Sequence, residues 1–189
     1  MLLYIHKLQI LTRIDKKYYE DIKDVKPASH SGAKTFTQWI GHDNRLLNVK
    51  FIITPNGTVM IYLKCSDNPF RLKFEDDVST IMTFLGRIEE RLHDLLSDRR
   101  GIIVSQVNKW ILKGCDVNKD IEIDAVTQLS LTDMQMPLVE KALRAYVKVI
   151  GDKADLRVEK YIVSDKPVEE ALENIRTTVD LDKDFLEQE

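Results

Sequence analysis

Lys50, Tyr62 and Lys64 in one stretch, and Arg144, Tyr146, Lys148, Arg157 and Tyr161 in another, are spaced by even steps within runs of alternating polarity. In an extended chain alternate residues share a face, so each set would display cations interleaved with phenol rings. Cations contact phosphate oxygens and rings stack on bases or sugars, so the chemistry implied is binding of nucleic acid or another polyanion. Catalysis asks for something else, a nucleophile, a base and an acid converging on one point. His6, His30, His42 and His93 are scattered, and no serine stands in a nucleophile elbow. Carboxylates pair mainly where helix dipoles account for them. The sequence reads as a non-catalytic protein without cofactor or metal.

Three other motifs carry less. Gly32-Ala33-Lys34-Thr35 lacks the first glycine and the residue order of a phosphate loop. His30, His42 and Asp43 could ligate a metal only if an element fixed their spacing, and they read instead as solvated loop residues. Asp116, Asn118 and Asp120 resemble the start of a calcium loop, but Ile121 stands where that loop needs glycine, so an ordinary turn is expected.

The elements that would position the basic and aromatic residues begin with a hairpin. Leu47, Val49, Phe51 and Ile53, then Val59, Ile61, Leu63 and Cys65, alternate with polar neighbours. A loop over Pro55-Asn56-Gly57 pairs Ile53 with Val59, Phe51 with Ile61 and Val49 with Leu63. A two-residue turn would split the apolar set between faces. Pro55 suits the preset φ of a type I turn, and Gly57 the left-handed bulge position. Phe70, Leu72 and Phe74 then read as a short strand or strap. A helix follows from Glu75 to about Ser97, with Val78, Ile81, Met82, Leu85, Ile88, Leu92, Leu95 and Leu96 as its apolar stripe. Gly101 is expected to stop it.

Upstream, residues 2–14 fit a strand, or less well a short helix, and the abrupt start suggests a trimmed chain or an attached upstream domain. Asp15 to Asn44 reads as a long polar loop, functional or mobile by its length, with Trp39 capping the core. Downstream, Ile102–Val104 and Trp110–Val117 are strand-like, with Gly114 at a bulge, and Ile121–Ile123 and Leu129–Leu131 are short extended pieces. Thr132 and Gln135 could open a helix over 136–150. Alternation of Val139, Leu143, Ala145, Val147 and Val149 with Glu140, Arg144 and Lys148 favours a hairpin instead, returning through Leu156, Val158, Lys160 and Ile162. A four-residue loop at Gly151–Ala154 would set Lys148 opposite Arg157, a like-charge pair that a phosphate would relieve. A second helix carries Val168, Ala171, Leu172, Ile175 and Val179 inward, and an acidic tail over 181–189 is expected to fray.

Ser66-Asp67-Asn68-Pro69 and Ser164-Asp165-Lys166-Pro167 each stand between a hairpin and a helix. The repeated order predicts an α+β fold: an antiparallel sheet with helices packed on one face, built from two similar hairpin-plus-helix units, about 1–100 and 101–180, in a single domain. That duplicated layout resembles, in outline, the saddle-shaped DNA binders typified by the TATA-box binding protein.

The chain has 189 residues and a formal net charge of -3, so no global charge pulls it toward nucleic acid or membrane. Any attraction must come from segregation of charge. The outer hairpin faces hold Asn48, Lys50, Ile52, Thr54, Thr58, Met60, Tyr62 and Lys64, and Arg144, Tyr146, Lys148, Ile150, Arg157, Glu159 and Tyr161. The helices hold Glu75, Asp76, Asp77, Glu89, Glu90, Asp94, Glu169, Glu170 and Glu173. Cys65 and Cys115 lack CxxC spacing and fit a reducing, cytoplasmic setting, and no stretch reads as a membrane span. The expectation is regulatory nucleic-acid binding through a basic, aromatic sheet. The alternatives are an interaction or sensor module whose sheet is covered by a second copy in a homodimer, and a small-molecule pocket under the His30–Asp43 loop.

Overall fold

The computed structural model describes residues 2–22, 26–27, 32–42, 44–65, 68–96, 110–122, 137–138, 143–150, 153–181 and 183. In chain order the strands are β1 (Leu3–Arg13), β2 (Lys26–Pro27), β3 (Lys34–His42), β4 (Arg45–Ile53), β5 (Thr58–Lys64), β6 (Phe70–Leu72), β7 (Ile111–Glu122), β8 (Pro137–Leu138), β9 (Leu143–Ile150) and β10 (Lys153–Val163). Helix α1 (Glu75–Leu96) follows β6, and α2 (Val168–Thr178) follows β10. All ten strands join one sheet in the order β2-β3-β4-β5-β1-β7-β10-β9-β8, with β6 beside β5 on the same edge of β1. Every pairing is antiparallel. The architecture is mixed α+β.

Parity decides which side chains go inward. Leu8, Ile10, Val49, Phe51, Ile53, Val59, Ile61, Leu63, Cys115, Val117 and Val158 are buried in one core with Val78, Ile81, Phe84, Leu85, Ile88 and Leu92 of α1 and Val168, Ala171, Leu172 and Ile175 of α2. The two helices also touch each other. Phe84 widens the stripe read from the sequence, while Met82 is only partly buried. Residues alternating with the inward strand positions form the sheet's outer face.

The first hairpin has the expected register, Ile53 with Val59, Phe51 with Ile61 and Val49 with Leu63. Gly57 has φ +88°, and a Cβ there would collide with the Ile14 carbonyl oxygen. The Gly57 carbonyl in turn accepts the Ile14 N–H at 2.9 Å, tying the turn to the end of β1. At the start of α1, Asp77 Oδ2 accepts the N–H groups of Lys73 and Phe74 at 2.7 and 2.8 Å, the acidic half of a capping box.

Several expectations need correction. The segment read as a polar loop holds a 3-10 turn, Lys16–Asp21, and the nine-residue β3. Inward Gln38 interrupts its alternation, which hid the strand. Phe36 stacks on Phe51 with ring centroids 4.9 Å apart, and Ile40 is buried, so parity sends Trp39 outward, 62% exposed instead of capping the core. Lys34, in the discounted phosphate-loop string, donates to the Tyr19 and Ile22 carbonyls at 2.7 and 2.8 Å.

Asp116, Asn118 and Asp120 lie inside β7, not in a turn, because β1 and β10 satisfy that strand's backbone on both sides. The second hairpin closes more tightly than expected. Lys153 pairs with Ile150, so Lys148 faces Asp155 and Arg157 faces Tyr146. Both closures keep the apolar residues on one face, so parity could not separate them, and the like-charge pair at Lys148 and Arg157 does not form. Leu181, in the tail expected to fray, is fully buried. Ile102–Val104, residues 129–135, the stop at Gly101, His30 and Asp43 lie outside the described residues.

Candidate nucleic-acid interface

The outer face is organised by β1 and β7 at the centre of the sheet. Lys7 of β1 stands opposite Lys64 of β5 on one side and Asp116 of β7 on the other. Two positions along, Gln9 stands between Tyr62 and Gly114. Lys50 of β4 faces Tyr62, and Asn48 of the same strand faces Trp39. These residues share one surface: Lys7, Lys50 and Lys64 are exposed, and Tyr62 and Tyr161 are 37% and 41% exposed.

Two irregularities shape it. Lys113 is an extra residue on β7 between the Ile10–Leu112 and Gln9–Gly114 pairs, and His6 is an extra residue on β1 between the pairs at Ile5 and Lys7. Bulges of this kind re-aim side chains. The first sets Gly114 on the outer face, where a Cβ would occupy the space that the Tyr161 phenol fills. From there the Tyr161 hydroxyl donates to Gln9 Oε1, and Gln9 Nε2 donates to the Tyr62 hydroxyl, both at 3.4 Å. Burial against the sheet, with the nearby Asp116 carboxylate, pushes the Tyr161 pKa up.

The second bulge packs His6 against Asn118, among Arg157, Glu159 and Asp120. Burial lowers the His6 pKa first, and the Arg157 charge lowers it further, while Glu159, Asn118 and Asp120 oppose the shift. Asn118 is 1% exposed and makes no well-formed side-chain hydrogen bond.

Charge is distributed unevenly between the halves of this face. Lys7 pairs with Asp116 at 3.8 Å, whereas among the described residues Lys50 and Lys64 have no ion pair. In the other half each basic residue named from the sequence has a nearby acid in register. Arg144 faces Glu159, Lys148 faces Asp155, and Arg157 faces Asp120. The last is a two-point ion pair, with Arg157 Nε and one terminal nitrogen donating to the two Asp120 carboxylate oxygens at 2.6 and 2.9 Å. That pair commits two of the five guanidinium N–H donors and sets a carboxylate against the charge. Tyr146 stands opposite Arg157 in the same row.

Sequence reasoning brought Lys50, Tyr62, Lys64 and Tyr161 to one surface but missed Lys7, Gln9 and Trp39. Lys7, Gln9, Leu11 and Arg13 alternate with Leu8, Ile10 and Thr12, a legible strand signal. Nothing local shows that this strand lies between β5 and β7. Among the described residues no group of three or more His, Cys, Asp or Glu could hold a metal, and no helix is long and apolar enough to cross a membrane. No protein-family model matches the chain, and no curated protein matches it in sequence.

Proposed function

We propose that this chain is a non-catalytic, regulatory nucleic-acid-binding protein whose outer sheet face takes the ligand. The observation that carries the reading is the grouping of Lys7, Lys50 and Lys64 on adjoining strands around Tyr62. Directly opposed like charges destabilise a sheet, and phosphate oxygens would relieve the opposition of Lys7 and Lys64. Exposed carboxylates gather on the helices, Glu75, Asp76, Glu90 and Asp94 on α1 and Glu169 and Glu170 on α2. A polyanion is thereby directed to the other side. Lys50, Lys64 and Lys7 are the phosphate contacts in this proposal, Tyr62 and Tyr161 the stacking surface, and Arg144, Tyr146 and Lys148 an extension. Arg157 serves by holding Asp120 away from the ligand.

Strand order supports a two-unit origin for the domain. β1 and β7 lie side by side, each flanked by the last long strand of its own half, β5 or β10, and then by β4 or β9. The two cysteines are buried and unpaired, in keeping with a reducing, cytoplasmic compartment. The test is a titration with labelled single- and double-stranded oligonucleotides at several salt concentrations. Affinity should fall with salt and drop for Lys64→Glu and Lys50→Glu, and binding indifferent to both would refute the reading. One observation favours a second copy on this face instead: Trp39 and Leu46 are both strongly exposed near its edge. A stable dimer by light scattering, indifferent to the lysine substitutions, would establish that alternative.

A further inference from the structure

The outer face carries three rows that run across the strands. The first is apolar: Ile52 faces Met60, Met60 faces Leu11, and Leu11 faces Ile111, all half-buried. The second holds Lys50, Tyr62, Gln9 and Gly114, with the Tyr161 phenol over the glycine. The third holds Lys64, Lys7 and Asp116. Successive rows are two residues apart along β4, β5 and β1, about 6.7 Å, while on β7 the bulge at Lys113 makes the step from Ile111 to Gly114 three residues. A continuous apolar row on the side away from the helices is unlike an ordinary solvated sheet face, where polar residues alternate with the inward set.

We infer, on the reading that this face binds nucleic acid, that the ligand is single-stranded and lies across β5, β1 and β7. Its bases rest on Tyr62 and the apolar row, and its phosphates follow Lys64 and Lys7 and come within reach of Lys50 beside Tyr62. A duplex hides the flat faces of its bases and offers phosphates and groove edges, which a protruding helix or ribbon reads. A flat surface of rings and aliphatic side chains has nothing to stack on there. Unpaired bases expose their faces to such a surface, and one nucleotide spans the gap between a phosphate on the third row and a base on the second.

The small number of cations agrees with this division of labour. Three lysines facing a single strand give a logarithmic salt slope of only about -2, so stacking must supply most of the affinity. The electrostatic contribution is correspondingly modest.

The experiment is fluorescence anisotropy on the full chain. Its probes are oligothymidylate and oligouridylate of about 12 nucleotides, a mixed-sequence duplex of the same length, and inorganic polyphosphate as competitor. The single strands should bind at least tenfold more tightly than the duplex, with that shallow slope. Tyr62→Ala and Tyr62→Leu should each weaken single-strand binding about tenfold and leave duplex binding unchanged. Tyr62→Leu keeps the bulk of the side chain, so it reports even if the alanine variant is poorly folded. Equal affinity for duplex and single strand, full retention by Tyr62→Leu, or competition by polyphosphate as effective as by oligothymidylate would each overturn the inference. If Lys64→Glu still weakened binding in those cases, the broader reading would stand. Absence of binding to every probe at low salt would overturn both, as would a dimer that Tyr62→Leu dissociates.

Discussion

The phenol of Tyr161 fills the space above Gly114, where any side chain would have put its Cβ. Tyr161 faces Asp116 across the β7–β10 pair, so its ring must lean two residues along β7 to reach the glycine. Glycine in a strand interior is weak by itself, and an overlying aromatic ring compensates for the missing side chain. Gly114→Ala should therefore cost about 1–3 kcal/mol by overpacking. In a Tyr161→Ala background the same change should cost much less. Urea denaturation of the four proteins in that double-mutant cycle measures the coupling. Equal costs in both backgrounds would mean the ring does not depend on that vacancy.

Lys64 opposes Lys7 in register, and among the described residues only Lys7 of the two has a carboxylate partner, Asp116. Lys64→Glu converts the opposition into an attractive pair and should stabilise the protein by about 0.5 kcal/mol while impairing oligonucleotide binding. Lys7→Glu should bring no such gain, because the new carboxylate would face Asp116. Thermal melts at low and high salt check this, and the difference between the variants should shrink as salt screens it.

What the sequence shows of this fold depends on whether one strand carries its own answer. The first hairpin does: its two candidate turns place Phe51 and Ile61 on the same or on opposite faces, so parity selects one, and Gly57 supplies the left-handed residue that turn needs. The helices do too, since Ile81, Leu85, Ile88 and Leu92 repeat at helical spacing. β3 does not, because Gln38 sits between Phe36 and Ile40 on the inward side. The second hairpin fails for another reason: its two closures differ by two residues, which leaves every face unchanged and moves Lys148 from Arg157 to Asp155. The site was half-legible for a similar cause. Tyr62 and Lys64 announce a face, but their neighbours Lys7 and Gln9 come from a strand more than fifty positions away, and only the sheet order brings them together.

Cys65 lies in the core with its thiol donating to the carbonyls of Ile5 and His6, both at 3.2 Å. Burial pushes its pKa up to about 11, and that of Cys115 well above the ordinary thiol value. A thiol held neutral is a poor nucleophile, so neither cysteine should react with an aromatic disulfide reagent at pH 8 until the protein is unfolded. The unfolded thiols ionise first, so stability should fall as pH rises from about 9 toward the folded value near 11 for Cys65. Cys65→Ala would make that decline shallower in urea titrations above neutrality. Rapid labelling of the native protein would contradict the burial of both side chains.

His6 gives the opposite limb of the pH profile. It stands at the bulge in β1, nearly buried, and burial followed by the Arg157 charge disfavours its protonated form. Protonation would place a second cation beside the arginine that Asp120 already neutralises. The folded pKa is depressed below that of the unfolded chain, about 6.5, so the unfolded state takes up a proton first as the medium is acidified. Its contribution to stability is present above pH 6.5 and is lost as pH falls toward the lower folded value. His6→Gln removes the titrating group while keeping a polar side chain beside Asn118, and should flatten the decline between pH 7 and pH 5 in urea denaturation. Asp120→Asn should steepen it, because Arg157 would then act on His6 without its counter-charge. If both variants follow the wild-type slope, the loss at acid pH belongs to the carboxylates, and His6 is a packing residue of the bulge.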